Sequence, residues 1–279
     1  MLSRRAFLRT AGTSLGAAAA AGLYSWRIEP RWLEIVQRSL PIARLPTAWA
    51  GRRLIQISDV HVGPRVDDDY VIETFRRVGE LRPDIVVMTG DFLSYHPRVF
   101  DQLPNVYRHF PRGRAATLAV LGNHDYGPDW AHPEVAQQAI DTLKPFGITV
   151  LRNEIHDVDG LQVAGLDDWW ARHFDAQSVL PRIDKARAAL VLSHNPDTLD
   201  LPVWADYEGW ILSGHTHGGQ CKPPFLPPPL LPVRNRRYTA GEFALSGNRR
   251  VYINRGVGHL LHVRFNVRPE VTMFELTSE

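Results

Sequence analysis

The chain has 279 residues, of which 44% are hydrophobic and 22% are charged, and both values are ordinary for a globular protein. Its single cysteine, Cys221, excludes an internal disulfide and a zinc site built on several thiolates. The formal net charge is +2, but residues 1–30 hold four arginines against one glutamate, so the rest of the chain carries a net −1. This distribution gives no reason to expect a nucleic-acid partner.

The N-terminus carries an export signature. Residues 3–9 read S-R-R-A-F-L-R, and residues 10–23 are weakly apolar and rich in alanine and glycine. This pattern resembles bacterial twin-arginine signals. We therefore expect residues 1–30 to be a twin-arginine signal peptide or a retained anchor, with the twin-arginine export machinery as a partner. The protein would then act in the periplasm or at the outer face of the cytoplasmic membrane.

Strand and helix patterns alternate in residues 31–279, which we expect to form one domain. Apolar spacing predicts helices at residues 68–81, 98–110 with an interruption at Pro104, 133–143 and 176–187. Continuous or alternating apolar runs predict strands at residues 31–37, 53–58, 85–89, 117–121, 148–151, 161–166, 190–193, 210–213, 251–254, 262–265 and 271–276. Interleaved helices followed by a strand-rich end predict a layered α/β domain with two sheets.

A proline-rich stretch at residues 223–232 reads P-P-F-L-P-P-P-L-L-P and excludes a helix or a central strand. We expect an extended surface loop. Its apolar tip beside the arginines of residues 234–237 is compatible with contact to an anionic membrane surface or a lipid tail. The alternative, a polyproline segment packed over the domain with solvated arginines, is the favoured interpretation of the sequence.

Five short polar motifs each follow a predicted strand. They gather carboxylates, one amide and several imidazoles at strand ends, where scaffolds commonly present chemistry. Hard oxygen donors mixed with imidazole suit Mn, Fe, Zn or Co, and seven potential ligands fit two ions that lie ~3.5–4 Å apart. The motifs are Asp59-Val60-His61, Gly90-Asp91, Gly122-Asn123-His124-Asp125, Ser193-His194-Asn195 and Gly214-His215-Thr216-His217-Gly218-Gly219-Gln220.

These motifs resemble the D-x-H, G-D, G-N-H-[DE], H and G-H-x-H motifs of the calcineurin-like metallophosphoesterase superfamily. The late segments Asn254-Arg255-Gly256 and Arg264-Phe265 are similar to those of its YkuE/YaeI-type exported phosphodiesterases, and a related branch hydrolyses UDP-2,3-diacylglucosamine. The resemblance implies an α/β fold, a four-layer α/β/β/α sandwich of two mixed sheets flanked by helices. It also implies two divalent ions, with Mn favoured. The first ion would be bound by Asp59, His61, Asp91 and His217, and the second by Asp91, Asn123, His194 and His215.

The same resemblance implies roles beside the metals. His124 would bind the phosphate and protonate the leaving oxygen, while Asp125 would orient the His124 imidazole. Arg255 is a candidate phosphate ligand, with a structural role as the equal alternative. Asp167 and Asp168 follow a strand, and a capping role is favoured over a place in the pocket.

The expected activity is that of a dimetal phosphodiesterase or pyrophosphatase, acting on a lipid-linked or nucleotide-sugar substrate such as UDP-2,3-diacylglucosamine. Two alternatives stay open at this point. One is a phosphomonoesterase on the same metal core, and the other is a non-catalytic, metal-stabilised binding module at a membrane surface. The complete ligand set and His124 favour an enzyme.

Overall fold

The computed structural model describes residues 3–204 and 207–279. Two six-stranded sheets form its centre. The first has the strand order β1-β12-β2-β3-β4-β5, and the second has the order β10-β11-β9-β8-β7-β6. The strands are β1 Glu34–Ile42, β2 Arg53–Ile57, β3 Ile85–Thr89, β4 Ala116–Val120, β5 Thr149–Val150, β6 Glu154–Val158, β7 Leu161–Leu166, β8 Ala188–Ser193, β9 Gly209–Ser213, β10 Gly241–Ala244, β11 Arg249–Ile253 and β12 Glu270–Ser278.

Both sheets are mixed. The strands that precede the five motifs run parallel, because β2 pairs parallel with β3, β3 with β4, and β8 with β9. Antiparallel pairs occur between β12 and β2 and at the edge of the second sheet, where β10 pairs with β11 and β6 with β7. The carboxyl ends of the parallel strands therefore meet at one edge of each sheet.

Helices cover the outer faces of the sheets. Helix α1 Arg4–Leu23 is exposed along its described side chains. The helices that cover the sheets are α2 Asp68–Glu80, α3 Val99–Tyr107, α4 Pro133–Leu143 and α5 Ala176–Val179. In β3, Val86 and Met88 pack in the apolar core on the side of α2, α3 and α4, whereas Ile85 and Val87 face the second sheet. This alternation follows from the two-residue period of a strand. A third core lies beyond the second sheet and contains Val191 of β8. The fold is the expected four-layer α/β/β/α sandwich.

Local sequence explains α2 well. The Asp67 carboxylate accepts a hydrogen bond from the Asp69 backbone N–H and caps the helix. Val71, Phe75 and Val78 lie on one face and are fully buried. The helix thus begins at a capping residue and is held to the first sheet by its apolar face.

Three predicted elements were wrong. Helix α3 passes through Pro104 without a break, because a single proline removes one backbone donor while the buried face of this helix still packs on the core. Helix α5 ends at Val179, two residues before Pro181, and only one 3₁₀ turn follows. Residues 262–265 form no strand, although Phe265 makes one isolated bridge to Cys221.

The segment after α1 packs on the domain. Ser25 and Glu29 are buried, and the Arg264 backbone N–H donates to the Ser25 carbonyl oxygen at 2.9 Å. The Val267 N–H donates to Glu29 Oε1 at 2.6 Å. The part of the chain that packs on the domain therefore begins near Tyr24, earlier than the boundary expected after residue 30. The export role of the N-terminus stays a prediction. In the described residues, no helix has the length and apolar character needed to cross a membrane.

Candidate functional site

The five motifs converge because they leave parallel strands at the same edge. Asp59 and His61 follow β2, Asp91 follows β3, and Asn123 follows β4 in the first sheet. The three histidines of the second sheet come from the loops after β8 and β9, and they are His194, His215 and His217. All seven side chains are buried.

The first group of potential ligands consists of two carboxylates and two imidazoles. The His61 Nε2 atom lies 3.1 Å from His217 Nε2 and 3.4 Å from Asp91 Oδ2. The His217 Nε2 atom lies 3.3 Å from Asp59 Oδ1. The four ligand atoms of Asp59, His61, Asp91 and His217 all lie within 4.8 Å of one another.

The second group shares Asp91 with the first. The His194 Nε2 atom lies 3.3 Å from Asp91 Oδ2, 3.2 Å from His215 Nδ1 and 3.3 Å from Asn123 Oδ1. Asp91, His194 and His215 again offer one atom each within 4.8 Å of one another. One carboxylate between two groups is the arrangement that a pair of ions requires.

The spacing of these atoms fits bound cations. Ligand atoms about 2.0–2.2 Å from one ion are about 2.9–3.5 Å apart at tetrahedral or octahedral angles. The observed contacts of 3.1–3.4 Å fall in that range. The Nδ2 atom of Asn123 has no hydrogen-bond partner, which is compatible with an amide that is held through its oxygen. The donor set of oxygen and imidazole nitrogen suits Mn, Fe, Zn or Co.

Backbone carbonyls fix which imidazole nitrogen faces the centre. The His194 Nδ1 atom lies 2.7 Å from the Thr89 carbonyl oxygen, and His215 Nε2 lies 2.8 Å from the Pro232 carbonyl oxygen. Because a carbonyl only accepts, each of these nitrogens donates its proton. The opposite nitrogens, Nε2 of His194 and Nδ1 of His215, are therefore the ones that face the centre and would bind a cation.

The loops adopt costly backbone conformations to bring these ligands together. Asp59, His61, Asp91, His215 and His217 all have positive φ angles between 49° and 71°. Non-glycine residues in this region cost conformational energy, and such strain concentrates at functional sites. The close approach also requires a glycine at position 122, where a Cβ atom would lie 2.3 Å from Asp91 Oδ1.

Burial keeps most of the imidazoles neutral, which is the form that binds metal. Burial lowers the pKa of His61 and of His215 to about 3. His194 differs: burial disfavours its charged form, but the Asp91 and Asp59 carboxylates outweigh burial and raise the pKa of His194 well above its ordinary value. A cation must therefore displace a proton from His194 when it binds.

His124 lies beside the cluster and is only partly buried. Its ring centroid is 4.9 Å from that of His61, in an edge-to-face arrangement, and its backbone N–H donates to Asp91 Oδ1 at 2.9 Å. This places the imidazole next to the ligands and within reach of solvent. Its expected role in catalysis stays a prediction.

The expected role of Asp125 needs correction. Its carboxylate accepts four backbone hydrogen bonds, from Asp91 and Gly122 at Oδ2 and from Phe92 and Leu93 at Oδ1. With both oxygens already engaged and fully buried, the carboxylate ties the loop after β3 to the loop after β4. Asp125 thus orders the backbone that carries Asp91 and Asn123, and it does not orient the His124 imidazole.

Of the two roles left open for Arg255, its contacts favour the structural one. Its guanidinium forms ion pairs with Glu270 and, at 2.9 Å, with Glu34. These carboxylates join β12 and β1 to the segment after β11, so Arg255 holds the C-terminal strand in place. Asp168 Oδ1 accepts from the Ala171 N–H at 2.8 Å, but residues 169–172 form a turn, so the expected helix cap at Asp167 or Asp168 was wrong. Asp167 accepts from the Tyr126 hydroxyl and pairs with Arg152.

The motifs did not reveal the outer partners of the ligands. The carbonyl groups of Thr89 and Pro232 and the hydroxyl of Ser94, 3.1 Å from His61 Nδ1, complete the site. Every residue type has a backbone carbonyl, so the sequence does not reveal which carbonyl accepts from a ligand. The only sequence signal for Pro232 was that residues 223–232 lie just after the last motif.

Comparison with known proteins agrees with this geometry. The calcineurin-like phosphoesterase family matches residues 52–219, which is more than half of the chain and includes all seven candidate metal ligands. The phosphodiesterase YaeI of Escherichia coli is 33% identical over 99% of this chain and 100% of its own length. The metallophosphoesterase YkuE of Bacillus subtilis is 31% identical over 99% and 98%, respectively. The UDP-2,3-diacylglucosamine pyrophosphatase LpxG of Chlamydia trachomatis is 28% identical over 95% and 97%.

The family match and the buried cluster of acidic and histidine side chains lead to the same assignment. The chain belongs to the calcineurin-like phosphoesterase family and is a metal-dependent phosphoric ester hydrolase.

Proposed function

We propose that the protein is an exported dimetal phosphodiesterase or pyrophosphatase that acts on a lipid-linked phosphoester outside the cytoplasm. A nucleotide-sugar diphosphate such as UDP-2,3-diacylglucosamine fits this description. The observation that carries the proposal is the pair of ligand groups that share Asp91. The names of the relatives YaeI and LpxG, a phosphodiesterase and a pyrophosphatase, support the choice of a diester or diphosphate over a monoester.

The residues around the centre have distinct tasks in this reaction. Two divalent ions, when bound, supply a nucleophile from water and neutralise charge on the phosphoryl oxygens. His124, partly exposed and next to His61, hydrogen-bonds the phosphate and gives a proton to the leaving oxygen. Asp125 keeps the two ligand loops together through its four backbone contacts.

An apolar cavity beside the centre supports a lipid-linked substrate. It has a volume of about 460 Å³, and its wall includes His217 together with leucines at 230, 231, 260 and 261. Two polar side chains in the wall, Gln220 and Thr216, are hydrogen-bonded to backbone carbonyls of the protein itself. Gln220 donates to the carbonyls of Leu261 and Val263, and Thr216 donates to the Thr239 carbonyl. The cavity therefore presents hydrocarbon to whatever fills it, next to a candidate metal ligand.

The rim of this cavity is an exposed apolar surface. Leu230 and Leu261 belong to the cavity wall, Phe225 and Leu226 precede Leu230 in the proline-rich loop, and all four side chains are more than half exposed. Exposed apolar side chains grouped beside a ligand site are typical of membrane or lipid contact. We therefore assign the rim, rather than a packed polyproline segment, as the contact with a membrane surface.

The paired arginines Arg4 and Arg5 support export through the twin-arginine machinery. Burial of Ser25 and Glu29 implies that the exported protein keeps the segment from Tyr24 onward. In this proposal the helix α1 either stays attached at the membrane or is removed before Tyr24.

Hydrolysis of bis-p-nitrophenyl phosphate and p-nitrophenyl phosphate by the full chain tests the proposal. We expect Mn²⁺-dependent cleavage that favours the diester and that a chelator abolishes. UDP-2,3-diacylglucosamine in mixed micelles is then the first natural substrate to assay. Preference for the monoester would replace the proposal by a phosphomonoesterase, and failure of a folded, metal-loaded protein to cleave any of these esters would favour a binding module.

A further inference from the structure

Three tryptophans stand half-buried around one cleft near the metal centre. Trp130, Trp169 and Trp170 line an open space of about 800 Å³, together with Arg172 and Arg234. Tryptophan side chains are on average highly buried, so three partly exposed rings in one cleft are unusual. We call this space the tryptophan cleft.

The tryptophan cleft begins at the metal centre. The Trp170 ring lies 4.4 Å from the His215 ring and perpendicular to it, and it lies 4.7 Å from the Trp130 ring. On the other side, the Trp130 ring lies 6.4 Å from the His124 ring. A group held in the cleft therefore lies beside both His215 and His124, the proposed donor of a proton to the leaving oxygen.

The backbone around the cleft is strained. Asp129 and Trp130 are consecutive non-glycine residues with φ angles of 53° and 57°, and Arg172 has a φ angle of 65°. An aromatic residue rarely adopts this conformation, because its Cβ then crowds its own backbone. Strain of this kind persists at positions where a side chain must be aimed for function. Here it directs the Trp130 ring toward His124 and Trp170.

We propose that the tryptophan cleft binds a nucleobase on the leaving arm of the phosphoester. The inference rests on the proposed function and names the subsite for that arm. Aromatic side chains bind nucleobases by stacking, whatever the base, and a guanidinium adds a cation that attracts both ring and phosphate. Arg234 lies over the Trp169 ring at 5.3 Å, so an aromatic ring and a guanidinium line the same cleft.

Binding of small phosphates to the full, Mn²⁺-equilibrated chain tests the cleft without turnover. Uridine 5′-monophosphate, ribose 5-phosphate and phenyl phosphate are compared by calorimetry. Stacking of one base predicts that uridine 5′-monophosphate binds about fivefold or more tightly than ribose 5-phosphate. It also predicts quenching of tryptophan fluorescence by the nucleotide and none by ribose 5-phosphate.

Variants locate the effect. Trp130→Leu and Trp169→Leu are expected to remove the preference for the nucleotide, and Trp130→Phe to restore most of it. Trp32→Leu is the matched control, because Trp32 is also half-exposed and lies under an arginine, Arg268, at 4.3 Å. This control keeps the preference if the cleft is the site.

Equal affinities of wild-type protein for uridine 5′-monophosphate and ribose 5-phosphate would overturn the proposal, as would a preference that survives in both leucine variants. Binding of phenyl phosphate as tightly as the nucleotide would also overturn it, because the cleft would then take any aromatic ester. The diester assay gives a separate result. Nucleotide binding without any hydrolysis would leave the cleft in place and refute the proposed function.

Discussion

The four backbone hydrogen bonds of Asp125 predict that Asp125→Asn destabilises the fold. An asparagine of the same shape presents one NH₂ group where a carboxylate oxygen accepted two N–H donors. The two buried backbone N–H groups that bonded to this oxygen then lose their acceptor, which lowers the free energy of unfolding by about 1–3 kcal/mol each. We therefore expect the free energy of unfolding to fall by about 2–6 kcal/mol.

The assay is urea unfolding of the metal-free protein, followed by circular dichroism. A loss of this size shifts the midpoint by about 1 M or more. Asp141→Asn serves as the control, because Asp141 is an exposed carboxylate on α4 that accepts a hydrogen bond from the Gln137 side chain. The control is expected to change stability by less than about 0.5 kcal/mol.

The loss also extends to metal binding, because Asp125 holds the loops that carry Asp91 and Asn123. We expect weaker Mn²⁺ binding in Asp125→Asn and no change in preference among leaving groups. An Asp125→Asn protein as stable as wild type, but with the leaving-group behaviour of His124→Ala, would refute this reasoning and restore the role of Asp125 in orienting the imidazole.

Three further predictions concern the reaction, the metals and the N-terminal segment. His124→Ala should lower turnover of alkyl phosphodiesters far more than that of p-nitrophenyl diesters, because nitrophenolate leaves without a proton; equal losses would exclude a general-acid role. Binding of Mn²⁺ should release protons and weaken as the pH falls, because the pKa of His194 is raised and a proton competes with the cation for its ring. Calorimetry in buffers of different ionisation enthalpy measures the proton release, and finding none would contradict this prediction. Removal of residues 1–23 should leave the thermal midpoint nearly unchanged. Removal of residues 1–30 should lower the midpoint by several degrees, because the Val267 N–H then loses its hydrogen-bond acceptor, the Glu29 carboxylate. Equal midpoints for the two truncated proteins would contradict the packing role of residues 24–30.

The ligand cluster was predictable from sequence because its chemistry is written in short motifs at strand ends. Asp59 and His61, for example, follow an apolar run that is strand β2, and parallel strands bring such ends together. Residue type and spacing were sufficient there. The four-layer arrangement was different, since apolar periodicity predicted strands and helices, and only the family resemblance predicted how the two sheets stack.

Roles that depend on distant partners were not predictable. Arg255 pairs with Glu34, 221 positions away in the chain, and nothing local distinguishes this from a phosphate ligand. Asp125 is adjacent to His124, yet its side chain points to backbone groups of another loop. The tryptophan cleft draws on the loop after β4, the loop after β7 and Arg234, so it exists only in the folded chain.

The number of metal ions per chain is the most direct test of the central claim. Full-length protein is equilibrated with Mn²⁺, freed of excess metal, and analysed by plasma mass spectrometry beside Asp91→Asn. Because Asp91 belongs to both ligand groups, we expect two ions in the wild-type protein and loss of both in the variant. A single ion in wild-type protein, or two ions retained in Asp91→Asn, would contradict a shared dimetal centre.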